Sequence, residues 1–220
     1  CATLEISKIL RDEGLMVNGM GSEELSNAGE ALRSSSGYAE SLSDLIDTER
    51  YPIDKPGSAA WQAEVDTTRS EIEKYGFRVL RDFIRPELQE RLRSEGEAIA
   101  PLAYYEEQDV NAYNLSVTPE MPEDHPARIT MRRGNAFVTR DQIPETAIIQ
   151  RLYTDPHFKN FIAAGSGMPA VYELADPLAG LTLNVVAPGK HHAWHFDVCQ
   201  VAVTIMTQKP ESGGEFQYCP

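Results

Sequence analysis

The sequence predicts an α+β fold with a β-sandwich or barrel at its C-terminal end. Three observations predict it. Segments with helical spacing dominate the chain to about residue 165, and from residue 170 the texture changes to short strand-like runs separated by turn residues. The third is scale: 220 residues, 41% hydrophobic and 25% charged, suit one large domain or a domain with an appendage.

Residues 1 to about 50 form a polar N-terminal extension in which "LEISKILRDEGL" and "SEELSNAGEALRSS" carry helical spacing with few aromatic anchors. "YPIDKPGS" (51–58) is a Pro/Gly-punctuated linker. Ser58 caps a helix through "AAWQAEVDTTRSEIEKY", with Trp61, Val65 and Ile72 near one face and Gly76 as the stop. "FRVLRDFI" alternates as a strand does, and Pro86 opens the next helix, "PELQERLRSEGEAIA", striped by Leu88 and Leu92. Residues 100–142 are irregular apart from an extended "ITMRRGNAFVTR". "IPETAIIQRLYTD" and "PHFKNFIAAGSG" predict two short helices, which complete a helical support over 58–165. Strands are then expected in "VYELAD", "GLTLNVVAPG", "AWHFDV", "QVAVTIMTQ" and "GGEFQYC", over 170–220.

The formal net charge of −14 argues against phosphate-backbone binding, which needs clustered Lys and Arg. No apolar run reaches the roughly 20 residues of a membrane helix, and the N-terminus lacks the pattern of a secretory signal. Cys1, Cys199 and Cys219 form no even framework and no C-x-x-C pair, so a reducing cytoplasm is expected. The expected partner is a small-molecule substrate, with no nucleic acid and no membrane, and assembly into a homo-oligomer stays open.

Chemistry concentrates in "PGKHHAWHFDVCQVAVTIMTQ" (188–208). His195-Phe196-Asp197 is an H-x-D element, in which an extended backbone aims both side chains to one face. An imidazole and a carboxylate so placed supply two ligands of the 2-His-1-carboxylate facial triad of ferrous iron. The bland alternative is a polar pair at a strand end. A zinc site of His191, His192 and His195 is disfavoured, because adjacent histidines in an extended segment point to opposite faces.

The run "GLTLNVVAPGKHHAWHFDVCQVAVTIMTQKPESGGEFQYCP" resembles the core of an Fe(II)/2-oxoglutarate-dependent oxygenase on a double-stranded β-helix, or jelly roll. Upstream, "YGFRVLRDFIRPELQERLRSE", "DHPARITMRRGNAFVTRDQIPETAIIQRLY" and "YELADPLAGLTLNV" resemble a bacterial branch of free amino-acid hydroxylases and radical halogenases. The similarity spans roughly residues 50–220, which makes 51–220 an oxygenase-like domain. The resemblance implies Fe(II) held by His195 and Asp197, with 2-oxoglutarate as cosubstrate and O₂. Halogenating members replace the carboxylate by a small residue, so Asp197 implies a hydroxylase. It also implies that Asn184, and secondarily Thr204, contact 2-oxoglutarate; for Asn184 the alternative is a strand amide satisfied by backbone. His192 is a substrate contact or an exposed turn histidine, and Arg132 or Arg133 pairs with a substrate carboxylate or is a solvated charge. Cys199 reads as a small buried hydrophobe rather than a ligand.

No histidine follows His195, and the chain begins at Cys1 rather than Met. The expectation is therefore a jelly roll incomplete at the C-terminus, without its closing strands, third iron ligand or 2-oxoglutarate-anchoring arginine. A fragment of a longer chain accounts for this most simply; completion by another chain and loss of activity are the other readings. The expected function is a dioxygenase that hydroxylates a small polar substrate such as an amino acid. The alternative is a catalytically inactive jelly-roll binding or scaffold module.

Overall fold

A computed structural model describes residues 41–197 and 199–219 in full, and residues 2–9 as backbone. Among the described residues, five α-helices accompany five strands: α1 (Leu42–Leu45), α2 (Ala59–Tyr75), α3 (Gln89–Ile99), α4 (Ile148–Thr154) and α5 (Pro156–Gly165). The strands are β1 (Ala2–Ile9), β2 (Tyr104–Val110), β3 (Met131–Val138), β4 (Leu181–Val186) and β5 (Val201–Gln208). The α+β class is therefore observed.

Local chemistry sets the helix ends. Ser58 Oγ accepts from the Trp61 N–H at 3.1 Å, and Gly76 closes α2 in the left-handed region at φ 82°, where a β-carbon would be strained. Asp155 Oδ1 accepts from His157 N and Phe158 N at the start of α5, with Pro156 in the first turn. In α3 the buried positions are Leu92, Glu95, Gly96 and Ile99, a 3–4 spacing that turns one stripe to the core.

The strands make one sheet in the order β2-β3-β4-β1-β5. β3 runs antiparallel to its neighbours β2 and β4, whereas β1 lies parallel to both β4 and β5. β4 and β5 thus run the same way, one strand apart. Leu181, Leu183 and Val185 alternate inward from β4 and join Ala136 and Val138 of β3 in a core with Ile148, Leu152 and Phe161 of the helices. Leu42, Leu45 and Ile46 belong to the same core.

Several local expectations are corrected. Residues 4–9, read as part of a helix, are a strand, because ladders on both sides outweigh a weak local helical preference; residues 10–40 lie outside the description. The expected strand over 77–84 is instead an irregular segment, exposed at Phe77 and Val79 and buried at Phe83 and Ile84. Asp82 breaks it at φ 55°, and only Ile84 bridges, to Ile46. Residues 100–142, expected to be irregular around one extended run, contain the β2–β3 ladder with Tyr104 opposite Phe137. The runs "VYELAD", "AWHFDV" and "GGEFQYC" form no ladder strand among the described residues, so two of the five expected C-terminal strands, β4 and β5, are observed. Among the described residues no helix is long and apolar enough to cross a membrane.

Candidate functional site

The sheet has a second face, and register decides what it carries. Phe137 pairs with Asn184, so Arg133, Asn135 and Phe137 of β3 share a face with Thr182 and Asn184 of β4. Thr182 and Thr204 both pair with Glu5, and Asn184 and Met206 both pair with Ser7, which puts Thr204 and Met206 on that face too. This face is the opposite of the one packed against the helices.

The segment after β4 folds over it. Lys190 N–H donates to Ala187 O at 3.0 Å across Pro188 and Gly189, whose φ of 72° is the left-handed setting of a type II turn. The Gly134 N–H then donates to His191 O at 3.1 Å, holding the returning chain beside β3. Further on, Phe196 N–H donates to Ala112 O at 2.9 Å while its ring lies 5.2 Å from that of Tyr113. The receiving turn is itself fixed: buried Asn111 accepts from the N–H groups of Tyr113 and Leu115 and donates to Leu115 O.

Between these anchors stand the expected metal ligands. His195 Nε2 lies 3.2 Å from Asp197 Oδ1, and His195 Nδ1 lies 2.9 Å from Ala193 O. A carbonyl can only accept, so Nδ1 carries a proton and Nε2 is the nitrogen turned to the carboxylate. On an octahedral ion with metal–donor bonds of roughly 2.1 Å, neighbouring donors lie about 3 Å apart, so the pair fits two adjacent positions. Among the described residues no third His, Cys, Asp or Glu joins them.

Around the pair runs a chain of side chains. Asn135 Nδ2 donates to Asn184 Oδ1 at 2.7 Å, and Asn184 Nδ2 lies 2.9 Å from His192 Nδ1. The His192 ring stacks on His195 at 4.3 Å with 17° between planes, and meets Phe137 edge-on at 5.8 Å. His192 is therefore neither fully exposed nor a bare turn residue. Both ends of the Asn184 amide engage protein side chains.

The two arginines part company. Arg133 lies on the site's face and donates to Gln108 Oε1 at 3.2 Å. Arg132 points to the opposite face, ion-paired with Glu107 at 3.1 Å and Asp109 at 3.3 Å, so it is not brought to the site. Glu107 also takes hydrogen bonds from Lys190 and Tyr105, and donation by Lys190, Tyr105 and Arg132, in that order, holds its carboxyl down to about 2. That knot ties the Pro188–Gly189 turn to β2. Thr204 is exposed on β5, Cys199 is half-buried, and Val198 lies outside the described residues.

Sequence reasoning missed Asn135, Asn111 and Lys190. Asn135 had a readable signal: in "RRGNAFV" it alternates in step with Phe137, a polar side chain on a strand position that packing must cover. Comparison with known protein families, characterised proteins and solved structures finds no match for this chain.

Proposed function

We propose that the chain carries the iron-binding part of an Fe(II)/2-oxoglutarate-dependent oxygenase of hydroxylating type, acting in the cytoplasm on a small polar substrate such as an amino acid. The observation that carries this reading is the His195–Asp197 pair, with Nε2 and Oδ1 3.2 Å apart and Nδ1 engaged by Ala193 O. The finer fold in this reading is a jelly roll, with β4 and β5 as strands either side of the metal segment.

In this reading His195 and Asp197 hold Fe(II), and the bound metal with 2-oxoglutarate and O₂ supplies oxidative decarboxylation coupled to oxygen transfer. The protein's own residues orient and recognise. Ala193 O fixes the His195 ring. Arg133 and His192, on the face that also bears Thr204, are the groups for a polar substrate or cosubstrate; a guanidinium there suits a carboxylate.

The experiment is anaerobic addition of Fe(II) and then 2-oxoglutarate, watched for the weak visible charge-transfer band of the chelate. The band is expected in the wild type and absent in His195→Ala. A chain folded by circular dichroism that gives no band, alone or as the longest form of its gene product, would sink the reading and leave a binding or scaffold module.

A further inference from the structure

Gly134 sits inside β3 with no left-handed backbone to require it, and a strand interior is an unfavourable place for glycine. What matters there is space. A β-carbon would stand 3.3 Å from Lys190 Cδ and 3.4 Å from both Glu107 Cγ and Tyr105 Oη. We infer that Gly134 is a positioning residue: its bare backbone lets residues 190–192 close against the edge of β3, and that docking sets where the His195–Asp197 pair stands.

The β3–β4 ladder runs from Val138 to Ala136, and β4 ends at Val186. Past that point the returning segment takes over, with the Gly134 N–H donating to His191 O at 3.1 Å. The residues either side of His191 go to opposite faces of the sheet. Lys190 pairs with Glu107 on the face of Arg132, whereas His192 meets Asn184 and Phe137 on the face of Arg133. Residues 190–192 thus straddle the sheet's edge, and Gly134 is the position they straddle. A side chain added there would fall on the Lys190 side, because its nearest atoms would be those of Lys190, Glu107 and Tyr105.

The contact reaches the candidate ligands through very little chain. Four residues, 192–195, separate His191 from the next anchor, the Phe196 N–H on Ala112 O at 2.9 Å. Among them Ala193 is buried, and its carbonyl engages His195 Nδ1. A segment so short, tied at both ends and packed in the middle, has little slack to absorb a shift at His191. This deepens the proposed oxygenase reading and rests on it only for the consequence at iron.

Amide hydrogen exchange on the metal-free full chain tests the docking at Phe196, 62 positions along the chain from the substitution. In Gly134→Val the branched side chain pushes Lys190 and its segment outward, so the Phe196 amide should exchange at least about tenfold faster while that of core Leu183 is unchanged. Should that variant fail to fold by circular dichroism, Gly134→Ala is the smaller probe, with an expected gain of about threefold. In a Lys190→Ala background either substitution should add less than about twofold, since the side chain it strikes is gone.

Unchanged Phe196 exchange in the folded variant overturns the inference. So does equal acceleration at Leu183, which would mean general loss of stability, and so does an undiminished effect in the Lys190→Ala background. Anaerobic Fe(II) titration reads the consequence at iron, where Gly134→Val should bind about tenfold more weakly; an unchanged affinity overturns that consequence. A wild type that binds no Fe(II) sinks the oxygenase reading and leaves the exchange result standing.

Discussion

Nε2 of His195 and Oδ1 of Asp197 lie 3.2 Å apart although no strand carries them. An extended backbone is the usual reason that positions i and i+2 share a face. Here the convergence comes from anchoring instead: the residue between them, Phe196, is hydrogen-bonded to Ala112 and laid against Tyr113. The pair is as well placed as the turn that receives Phe196.

Removing either donor should cost metal. Loss of an outer-shell partner alone typically weakens a site by about 10–100-fold, so Asp197→Ala and His195→Ala should each weaken Fe(II) binding by at least about tenfold. Anaerobic calorimetry measures this. An affinity within about twofold of wild type in both variants would remove the pair from the metal site.

Glu95 gives a pH signature with a definite sign. Its carboxylate accepts from Arg91 Nε at 2.7 Å and Ile148 N at 2.9 Å, deep in the core. Burial pushes its pKa up, and the Ile148 N–H and the Arg91 charge offset only part of that. A raised carboxyl pKa means the group's contribution to stability is complete below the ordinary glutamate range and is lost as pH rises through the raised value. Glu95→Gln lacks this loss, so it should gain on wild type between pH 4 and pH 7 in urea midpoints. Glu95→Ala removes the acceptor of both Arg91 Nε and the Ile148 N–H from the core and should cost about 3 kcal/mol.

Glu107 should titrate in the opposite sense. Its pKa is lowered to about 2 by hydrogen bonds from Lys190, Tyr105 and Arg132, so its contribution is present above the ordinary glutamate range and is lost as pH falls toward that value. Carboxyl ¹³C NMR should find a midpoint near 2 in the wild type and a higher one in Lys190→Met. An unchanged midpoint would mean that Lys190 does not hold the turn to β2.

Helix contact leaves no room at Gly165. A β-carbon there would come within 2.7 Å of Thr68 Cγ2, where α5 crosses α2. Gly165→Ala should therefore destabilise by about 1–3 kcal/mol, although alanine is the better helix former. Thr68→Ser removes the offending methyl and should restore most of the loss in the double variant, read by a urea double-mutant cycle.

Much of this was legible in the sequence where the signal is local. Ser58 and Gly76 bracket α2 because a cap hydroxyl and a left-handed glycine act within one turn. The Pro188–Gly189 turn and the strands after 180 and 200 are likewise written in neighbouring residues. So is the His195-x-Asp197 spacing, which put the two candidate ligands within reach of each other before any fold was known.

The sequence alone therefore determined the α+β class, the helix ends and the candidate ligand pair. Tertiary structure decided the rest, and for one physical reason: side-chain direction in a sheet has period two, so the face a residue occupies is set by register with distant strands. That register separates Arg132 from its neighbour Arg133, and brings Asn135 to Asn184 across 49 positions of chain. Pairing energy from β4 and β5 likewise made a strand of residues that read locally as helix.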